Sequence, residues 1–104
     1  EYIFIYLTAA DSTEAEKIVS RLLKDKLIAC ANIYPSMRSM YSWQDEVRSE
    51  QEVGIFLKTR GNLFESVREN ILAQHSYECP CIVALPILQG HGPFLDWISA
   101  STDS

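Results

Sequence analysis

The sequence has no long apolar run and no excess of positive charge. Its 104 residues include 9 Lys or Arg and 14 Asp or Glu, which gives a formal net charge of −5. An acidic surface repels phosphate groups, so we predict no nucleic-acid partner. A membrane helix needs about 20 consecutive apolar residues, and the apolar start, Tyr2–Leu7, is far shorter. We expect no membrane partner, and we interpret this start as a buried strand rather than a signal peptide.

Cysteine is scarce, and the usual catalytic signatures are missing. The three cysteines are Cys30, Cys79 and Cys81. An odd number cannot pair completely within one chain, which excludes a disulfide framework. Free thiols are typical of a reducing compartment, so we predict a cytoplasmic protein. The sequence has neither a G-x-x-x-x-G-K phosphate loop nor a G-x-S-x-G nucleophile elbow, and we predict that it is not an enzyme.

Two helices are predicted from the spacing of apolar residues. From Ala15 to Leu23 these residues recur every three or four positions, as on one face of a helix. At its start, Thr13 with Glu16 fits a capping box, and Asp11 with Glu14 fits another. After the Gly61 break, Asn62 is the residue expected to cap the second helix, and Phe64, Val67, Ile71 and Leu72 form its predicted buried stripe.

The remaining segments favour strands, and their order predicts the fold. The residues at Pro35-Ser36 suit a bulge, and those at Gln44-Asp45-Glu46 suit a hairpin turn. Strand-like segments lie at 2–7, 28–34, 37–43, 52–59 and 82–88. With a last helix after Pro93, the order is βαββαβ plus a helix, an α+β ferredoxin-like fold with an antiparallel sheet. We expect residues 1–104 to form a single domain.

The predicted sheet leaves one face uncovered. In a ferredoxin-like fold, helices cover one face only, yet the first and last strands are apolar on both faces. A large exposed apolar surface is rare in a monomer. The pattern therefore predicts self-association.

The segment Cys79-Pro80-Cys81 is the most unusual local feature. In an extended chain, residues two apart point to the same side, so the two thiols would lie side by side. Thiolates are soft ligands that favour Cu(I) or Zn(II). His75 lies four residues upstream, and Cys30 lies on another strand. The alternative is that these cysteines are small buried hydrophobic residues.

A second candidate site consists of aromatic and basic residues. Tyr41, Trp43 and Tyr77 are amphipathic aromatics that suit either a ligand pocket between subunits or a plain interface. Lys58, near a strand end, suits the binding of an anion or a surface cluster. The alternating charged residues of the hairpin are interpreted as a solvated strand face; they are Glu46, Arg48, Glu50 and Glu52.

Several segments, in order along the chain, resemble the divalent-cation tolerance (CutA) family. They are Leu27–Ile33, Ser39-Met-Tyr-Ser-Trp43, Phe56-Leu-Lys-Thr59, His75-x-Tyr77-x-x-Pro80, Ala84-Leu-Pro86 and Gly90 followed by Phe94-Leu-Asp-Trp97. The resemblance implies a ferredoxin-like subunit in a tight homotrimer, similar in architecture to PII signalling proteins. It also implies a role in tolerance to divalent cations, among which copper is named most often.

The resemblance implies site residues as well, and this sequence departs from the family pattern near them. Family members are proposed to bind copper through a cysteine and histidines, and Cys30 and His75 match such positions. Cys81 stands where glutamate is usual, Cys79 where an aliphatic or polar residue is usual, and Asp45 where glycine is frequent. The added thiols shift the expected metal preference towards softer ions.

Three hypotheses follow. The first is a homotrimeric metal-binding or metal-tolerance protein, with Cys30, His75, Cys79 and Cys81 as candidate ligands that need not share one site. The second is a PII-like regulatory module that binds a small anion between subunits, near Tyr41, Trp43, Lys58 and Tyr77. The third is a scaffold trimer whose interface is itself the function.

Overall fold

The computed structural model describes residues 1–103. The elements are β1 (Tyr2–Ala9), α1 (Ser12–Lys24), β2 (Cys30–Trp43), β3 (Glu46–Arg60), a 3₁₀ turn (Gly61–Leu63), α2 (Phe64–Gln74), β4 (Ile82–Pro86) and α3 (Gly92–Ser101). The four strands form one antiparallel sheet in the order β2-β3-β1-β4. The predicted α+β, ferredoxin-like order is confirmed.

The hydrophobic core lies between the sheet and helices α1 and α2. Alternate residues of the central strands point towards it, as the period of two in a strand requires. From the sheet these include Ile5, Leu7, Ile55 and Leu57, each 0% exposed. The helices contribute the apolar positions that sequence periodicity predicts: Ala15, Ile18, Val19, Leu22, Val67 and Ile71. Leu23 and Leu72, which the same periodicity would bury, are 42% and 43% exposed.

Helix α1 has a defined signal at each end. Asp11 is the N-cap, and its side chain accepts a hydrogen bond from the Glu14 N–H at 2.8 Å. After the last turn, Lys26 adopts a φ of 58°, in the left-handed region. The N–H groups of Lys26 and Leu27 then donate to carbonyl groups in the last turn, each at 3.0 Å. This pair of bonds is a Schellman motif, which ends the helix there.

The predicted cap of α2 is wrong. Asn62 lies within the 3₁₀ turn, and α2 begins at Phe64 after Leu63, which makes no side-chain capping bond. The Gly61 N–H donates to the Glu1 carbonyl oxygen at 2.9 Å. The end of β3 is therefore tied to the start of β1, and the chain makes a tight turn before the helix can begin.

Strands β2 and β3 continue past the edge of β1 as a hairpin arm, residues 37–52. Strand β1 pairs with β3 only from Val53 to Arg60, so the arm has no third strand beside it. The turn at its tip consists of Gln44 and Asp45, with φ of 53° and 65°. Two consecutive residues with positive φ are typical of a two-residue type I′ hairpin turn.

A bulge separates the arm from the rest of the sheet. Tyr34 pairs with Gly54 and Met37 pairs with Glu52, so Pro35 and Ser36 together face one residue of β3. Ser36 has a φ of 61°. The predicted irregularity is confirmed. Because the extra residue shifts the alternation of side chains, every odd-numbered residue of the arm in β2 lies on the same face as Tyr34.

The sheet face opposite the helices is apolar. Phe4 and Tyr6 pack against Phe56 with ring centroids 5.3 Å apart in each pair. On β4, Val83 is 48% exposed and Leu85 is 54% exposed. We call this surface the open face. It has the apolar character that the sequence predicts.

Helix α3 packs at the end of the sheet where β1 starts and β3 stops. The Tyr2 hydroxyl is 2.7 Å from the Ser99 hydroxyl. The Arg60 Nε donates to the Thr102 hydroxyl at 2.9 Å. Within residues 1–103, no helix is both long enough and apolar enough to cross a membrane.

Candidate functional site

A cleft of about 420 Å³ lies where the hairpin arm leaves the sheet. One wall is the arm, and the other is the segment that leads into β4, residues 77–81. Its lining combines three aromatic side chains, three carboxylates, two thiols, one guanidinium and a threonine: Tyr41, Trp43, Tyr77, Glu50, Glu52, Glu78, Cys79, Cys81, Arg48 and Thr8. Acidic groups outnumber the basic one, so the cleft suits a cation better than an anion.

His75 fixes the start of this segment against β1. Its Nδ1 accepts a hydrogen bond from the Tyr77 N–H at 3.0 Å. The ring proton is therefore assigned to Nε2, which donates to the Thr8 carbonyl oxygen at 2.7 Å. The side chain is 0% exposed. Both ring nitrogens are thus engaged within the chain, and a metal ion at His75 would have to displace one of these bonds.

Glu14 ties the same segment to helix α1. One carboxylate oxygen accepts from the Ser76 N–H at 2.7 Å, and the other accepts from the Ala10 N–H at 3.1 Å. The first oxygen is also 3.7 Å from the His75 Nδ1. Burial alone would raise the pKa of Glu14, but the hydrogen bonds from the Ala10 and Ser76 N–H groups hold it below its usual value.

Two tyrosines hold carboxylates at the cleft. The Tyr77 hydroxyl donates to Glu52 at 2.6 Å, and the Tyr41 hydroxyl donates to Glu50 at 2.8 Å. Burial, followed by the bond to the Glu52 carboxylate, raises the pKa of Tyr77 well above its usual range. The bond to Glu50 raises the pKa of Tyr41. Both phenols therefore stay protonated at neutral pH. Each donates a hydrogen bond that orients its carboxylate partner.

Cys79 and Cys81 are free thiols that line the same cleft. Burial raises the pKa of the Cys81 thiol, and the charge of Glu52 raises it further. At neutral pH Cys81 is therefore a protonated thiol. A metal ion that binds it must displace a proton.

Cys30 and Lys58 lie away from this cleft in the single chain. They are paired with each other across β2 and β3, and Lys58 also pairs with Phe4 of β1. Thr8, which His75 contacts, is four residues further along β1, about 13 Å away at the usual rise per residue. The Lys58 ammonium donates to the Asn32 side chain and lies 5.7 Å from the centre of the Phe4 ring.

One chain therefore brings together five of the eight predicted site residues: Tyr41, Trp43, Tyr77, Cys79 and Cys81. His75 supports this group from behind, whereas Cys30 and Lys58 are separate from it. Among residues 1–103, no group of three or more His, Cys, Asp or Glu side chains is arranged to hold a metal ion.

The sequence patterns missed the acidic side of the cleft. Glu50, Glu52 and Arg48 alternate along β3, and this pattern was interpreted as a solvated strand face. Their spacing does place them on one face of the arm. The spacing does not show that the segment around Tyr77 packs over that face. This packing leaves Glu52 only 9% exposed. The sequence indicated Glu14 as part of a capping box, but nothing in the sequence indicated its contact with His75.

Comparison with known proteins identifies the family of this chain. Residues 3–101 match the family model described as CutA1 divalent ion tolerance protein. The chain belongs to this family. Its description names a tolerance protein and not a class of enzymes. The family that the sequence segments resemble is therefore confirmed.

This chain matches different fractions of the length of its relatives in the CutA1 family. The divalent-cation tolerance protein CutA of Archaeoglobus fulgidus is 44% identical over 100 residues, which are 96% of this chain and 97% of the relative. That of Thermus thermophilus is 38% identical over 98 residues, covering 94% and 95%. The chloroplastic protein CutA of Arabidopsis thaliana is 36% identical over 100 residues, 96% of this chain but 55% of the relative. The chain thus spans only about half of the plant protein.

Solved CutA structures share the whole fold. The periplasmic divalent cation tolerance protein CutA from Archaeoglobus fulgidus superposes with a TM-score of 0.96 at 43% identity, covering 99% of this chain and 100% of that one. CutA1 from Shewanella sp. SIB1 gives a TM-score of 0.97 at 31% identity, covering 100% and 97%. The hairpin arm and the open face are therefore part of a fold that CutA1 proteins have in common.

Proposed function

We propose that the protein is a homotrimeric metal-binding protein that acts in tolerance to divalent cations, and that it binds a soft metal ion, copper first, in the cleft. The observation that carries this proposal is the composition of the cleft. Two thiols, Cys79 and Cys81, lie beside three carboxylates and a single guanidinium. Carboxylates attract cations, and thiolates select soft ones.

The open face supports the trimeric part of the proposal. Exposed Val83 and Leu85 lie beside the aromatic cluster of Phe4, Tyr6 and Phe56. An apolar surface of this kind on an antiparallel sheet marks an interface. The hairpin arm, with two strands and no third beside it, offers further strand edges for a second copy. The number of copies, three, is what the family resemblance implies.

The candidate ligands divide into two groups. Cys79 and Cys81 lie in the cleft, and we assign the metal to them. His75, with both nitrogens engaged, is assigned a positioning role instead. Cys30 remains a candidate ligand of a separate site on the open face, where a neighbouring copy would have to supply its partners.

Metal titration with an independent measurement of assembly tests the proposal. The reduced, metal-free protein is titrated with buffered Cu(I) and with Zn(II), and its mass in solution is measured by light scattering. We expect saturable metal binding and a mass of about three times the 11.8 kDa chain. Weak uptake without saturation would refute the metal-binding role, and a monomeric mass at micromolar concentration would refute the trimer.

A second candidate function is the binding of a small anionic ligand between subunits, as in a PII-like regulatory module. It is favoured by one observation: the Nε of Arg48 is buried without a hydrogen-bond partner in the described chain, at a cleft with aromatic walls. The cleft volume falls in the range of small-molecule sites. A thermal-shift screen of nucleotides and carboxylic acids tests this, because a ligand of the native state raises the unfolding temperature.

We propose a cytoplasmic location and a binding role rather than a catalytic one. Three free cysteines in one chain favour a reducing compartment. Relatives carry chloroplastic and periplasmic names, so the compartment needs its own test. Rapid thiol alkylation in intact cells should trap all three cysteines in the reduced state, and recovery of oxidised cysteines would contradict this location.

A further inference from the structure

We infer that Cys79 and Cys81 alone form a two-sulfur site for a thiophilic monovalent cation, of which Cu⁺ is the biological example. The inference rests on the proposed function and goes further, because it names the ligand number and the oxidation state of the ion.

Both thiols belong to one short segment. The cysteines are two residues apart, and both side chains line the same cleft. Cys79 ends a bend over residues 76–79, and Pro80 and Cys81 lead from this bend into β4. The two thiols at the cleft therefore come from a single chain.

The segment that carries the thiols is anchored at both ends. On the upstream side, Tyr77 is held by its N–H to His75 and by its hydroxyl to Glu52, at 3.0 and 2.6 Å. On the downstream side, Ile82 pairs with Leu7 of β1 immediately after Cys81. A ligand pair held between two fixed points loses less conformational freedom on binding.

The ligand set suits an ion that is satisfied by two sulfurs. Zn²⁺ takes four ligands at structural sites, and three protein ligands at most catalytic ones. Cu⁺ is soft, prefers thiolate, and is stable with two ligands in a nearly linear arrangement. The neighbouring carboxylates are hard oxygen donors, and Glu52 already accepts the Tyr77 hydroxyl. They attract cations to the cleft without competing for a soft one.

The test compares single cysteine variants in the intact, reduced protein. Cu⁺ is delivered from a chromophoric chelator that reports the free ion. Cys79→Ser and Cys81→Ser are compared with Cys30→Ser, which removes a thiol outside the cleft, and with Ser20→Ala, at an exposed position of α1, as the control. Loss of an outer-shell partner costs about 10–100-fold in metal affinity, so loss of one of two ligands should lower Cu⁺ affinity by about a hundredfold or more. We expect Ser20→Ala to bind as the unchanged protein does, and Cys30→Ser to keep the two-sulfur binding in the cleft. X-ray absorption at the copper edge should show two sulfur neighbours, and circular dichroism should show that all variants are folded.

The outcomes separate this inference from the broader proposal. Saturable Cu⁺ binding that is lost in Cys30→Ser but kept in the cleft variants would overturn the two-sulfur site and leave metal binding standing. A copper centre with three or more protein ligands, or Zn²⁺ that displaces Cu⁺ at equal concentration, would overturn it as well. No saturable uptake of either metal would overturn both.

Discussion

Replacing Glu14 with glutamine removes the charge that joins helix α1 to the cleft segment while keeping the size of the side chain. The carboxylate accepts from the N–H groups of Ser76 and Ala10, and its side chain is only 15% exposed. A hydrogen bond to a charged group contributes about 1.5–3 kcal/mol. Glutamine keeps one acceptor oxygen but turns an NH₂ group towards the other N–H. We therefore expect a loss of about 1–2 kcal/mol in the free energy of unfolding at pH 7.

The loss should depend on pH in a defined direction. The pKa of Glu14 is lower in the folded chain than in the unfolded one, where a glutamate titrates near about 4.3. The unfolded state therefore binds the proton more readily, and acid favours unfolding. The stabilisation by the carboxylate is fully present above the unfolded pKa and is lost as pH falls through the folded pKa. The difference between the two proteins should shrink between about pH 5 and pH 3.

Urea unfolding at pH 7 and at pH 3 measures both effects, with the chain concentration held constant because assembly contributes to apparent stability. Glu16→Gln is the matched control, since Glu16 lies on the same helix and is exposed. The control should change the unfolding free energy by less than about 0.5 kcal/mol. Equal stability of Glu14→Gln and the unchanged protein at pH 7 would refute the reasoning. So would a difference that persists undiminished at pH 3.

Three further predictions concern single positions. Lys26→Gly should stabilise the protein by about 0.5–1 kcal/mol in urea unfolding, because glycine adopts the left-handed C′ position without strain. Lys17→Gly, at an exposed position inside the helix, should destabilise by about 1 kcal/mol, and a loss in both variants would contradict the Schellman assignment. Asp45→Gly, at a φ of 65° in the hairpin turn, should stabilise by about 0.5–1 kcal/mol in the same assay, and a loss of stability would contradict the turn type. In a Cys30→Ser/Cys79→Ser background, Cys81 should be alkylated more slowly at pH 8 than a free cysteine. Its raised pKa lowers the thiolate fraction, and a faster rate would contradict the shift.

Local chemistry was predictable from the sequence wherever one segment determines it. Of the two predicted capping positions, Asp11 and Thr13, it is Asp11 that caps α1, and the irregularity at Pro35-Ser36 is a bulge. Asn62 has the same capping chemistry as Asp11, yet it does not cap α2. The difference is tertiary, because the adjacent Gly61 bonds to Glu1, which is distant in sequence but lies beside the end of β3.

The candidate site was predictable only in part, because it joins residues that are distant in sequence. Aromatic and thiol residues drew attention by their type. The acidic partners Glu50 and Glu52 did not, since an alternating charged strand is usually solvated. His75 was a candidate ligand by type, but its bond to Thr8 spans 67 residues. No local pattern contains such a contact.

The bulge at Pro35-Ser36 limits how the length of the hairpin arm can change. Tyr41 and Trp43 reach the cleft only because one extra residue precedes them in β2. Insertion of one residue between Met37 and Tyr41 would turn Tyr41 and Trp43 away from the thiols and direct Met40 and Ser42 towards them instead. Insertion of two residues would keep Tyr41 and Trp43 on the cleft side. Among related chains, we expect the distance from bulge to tip to vary in steps of two.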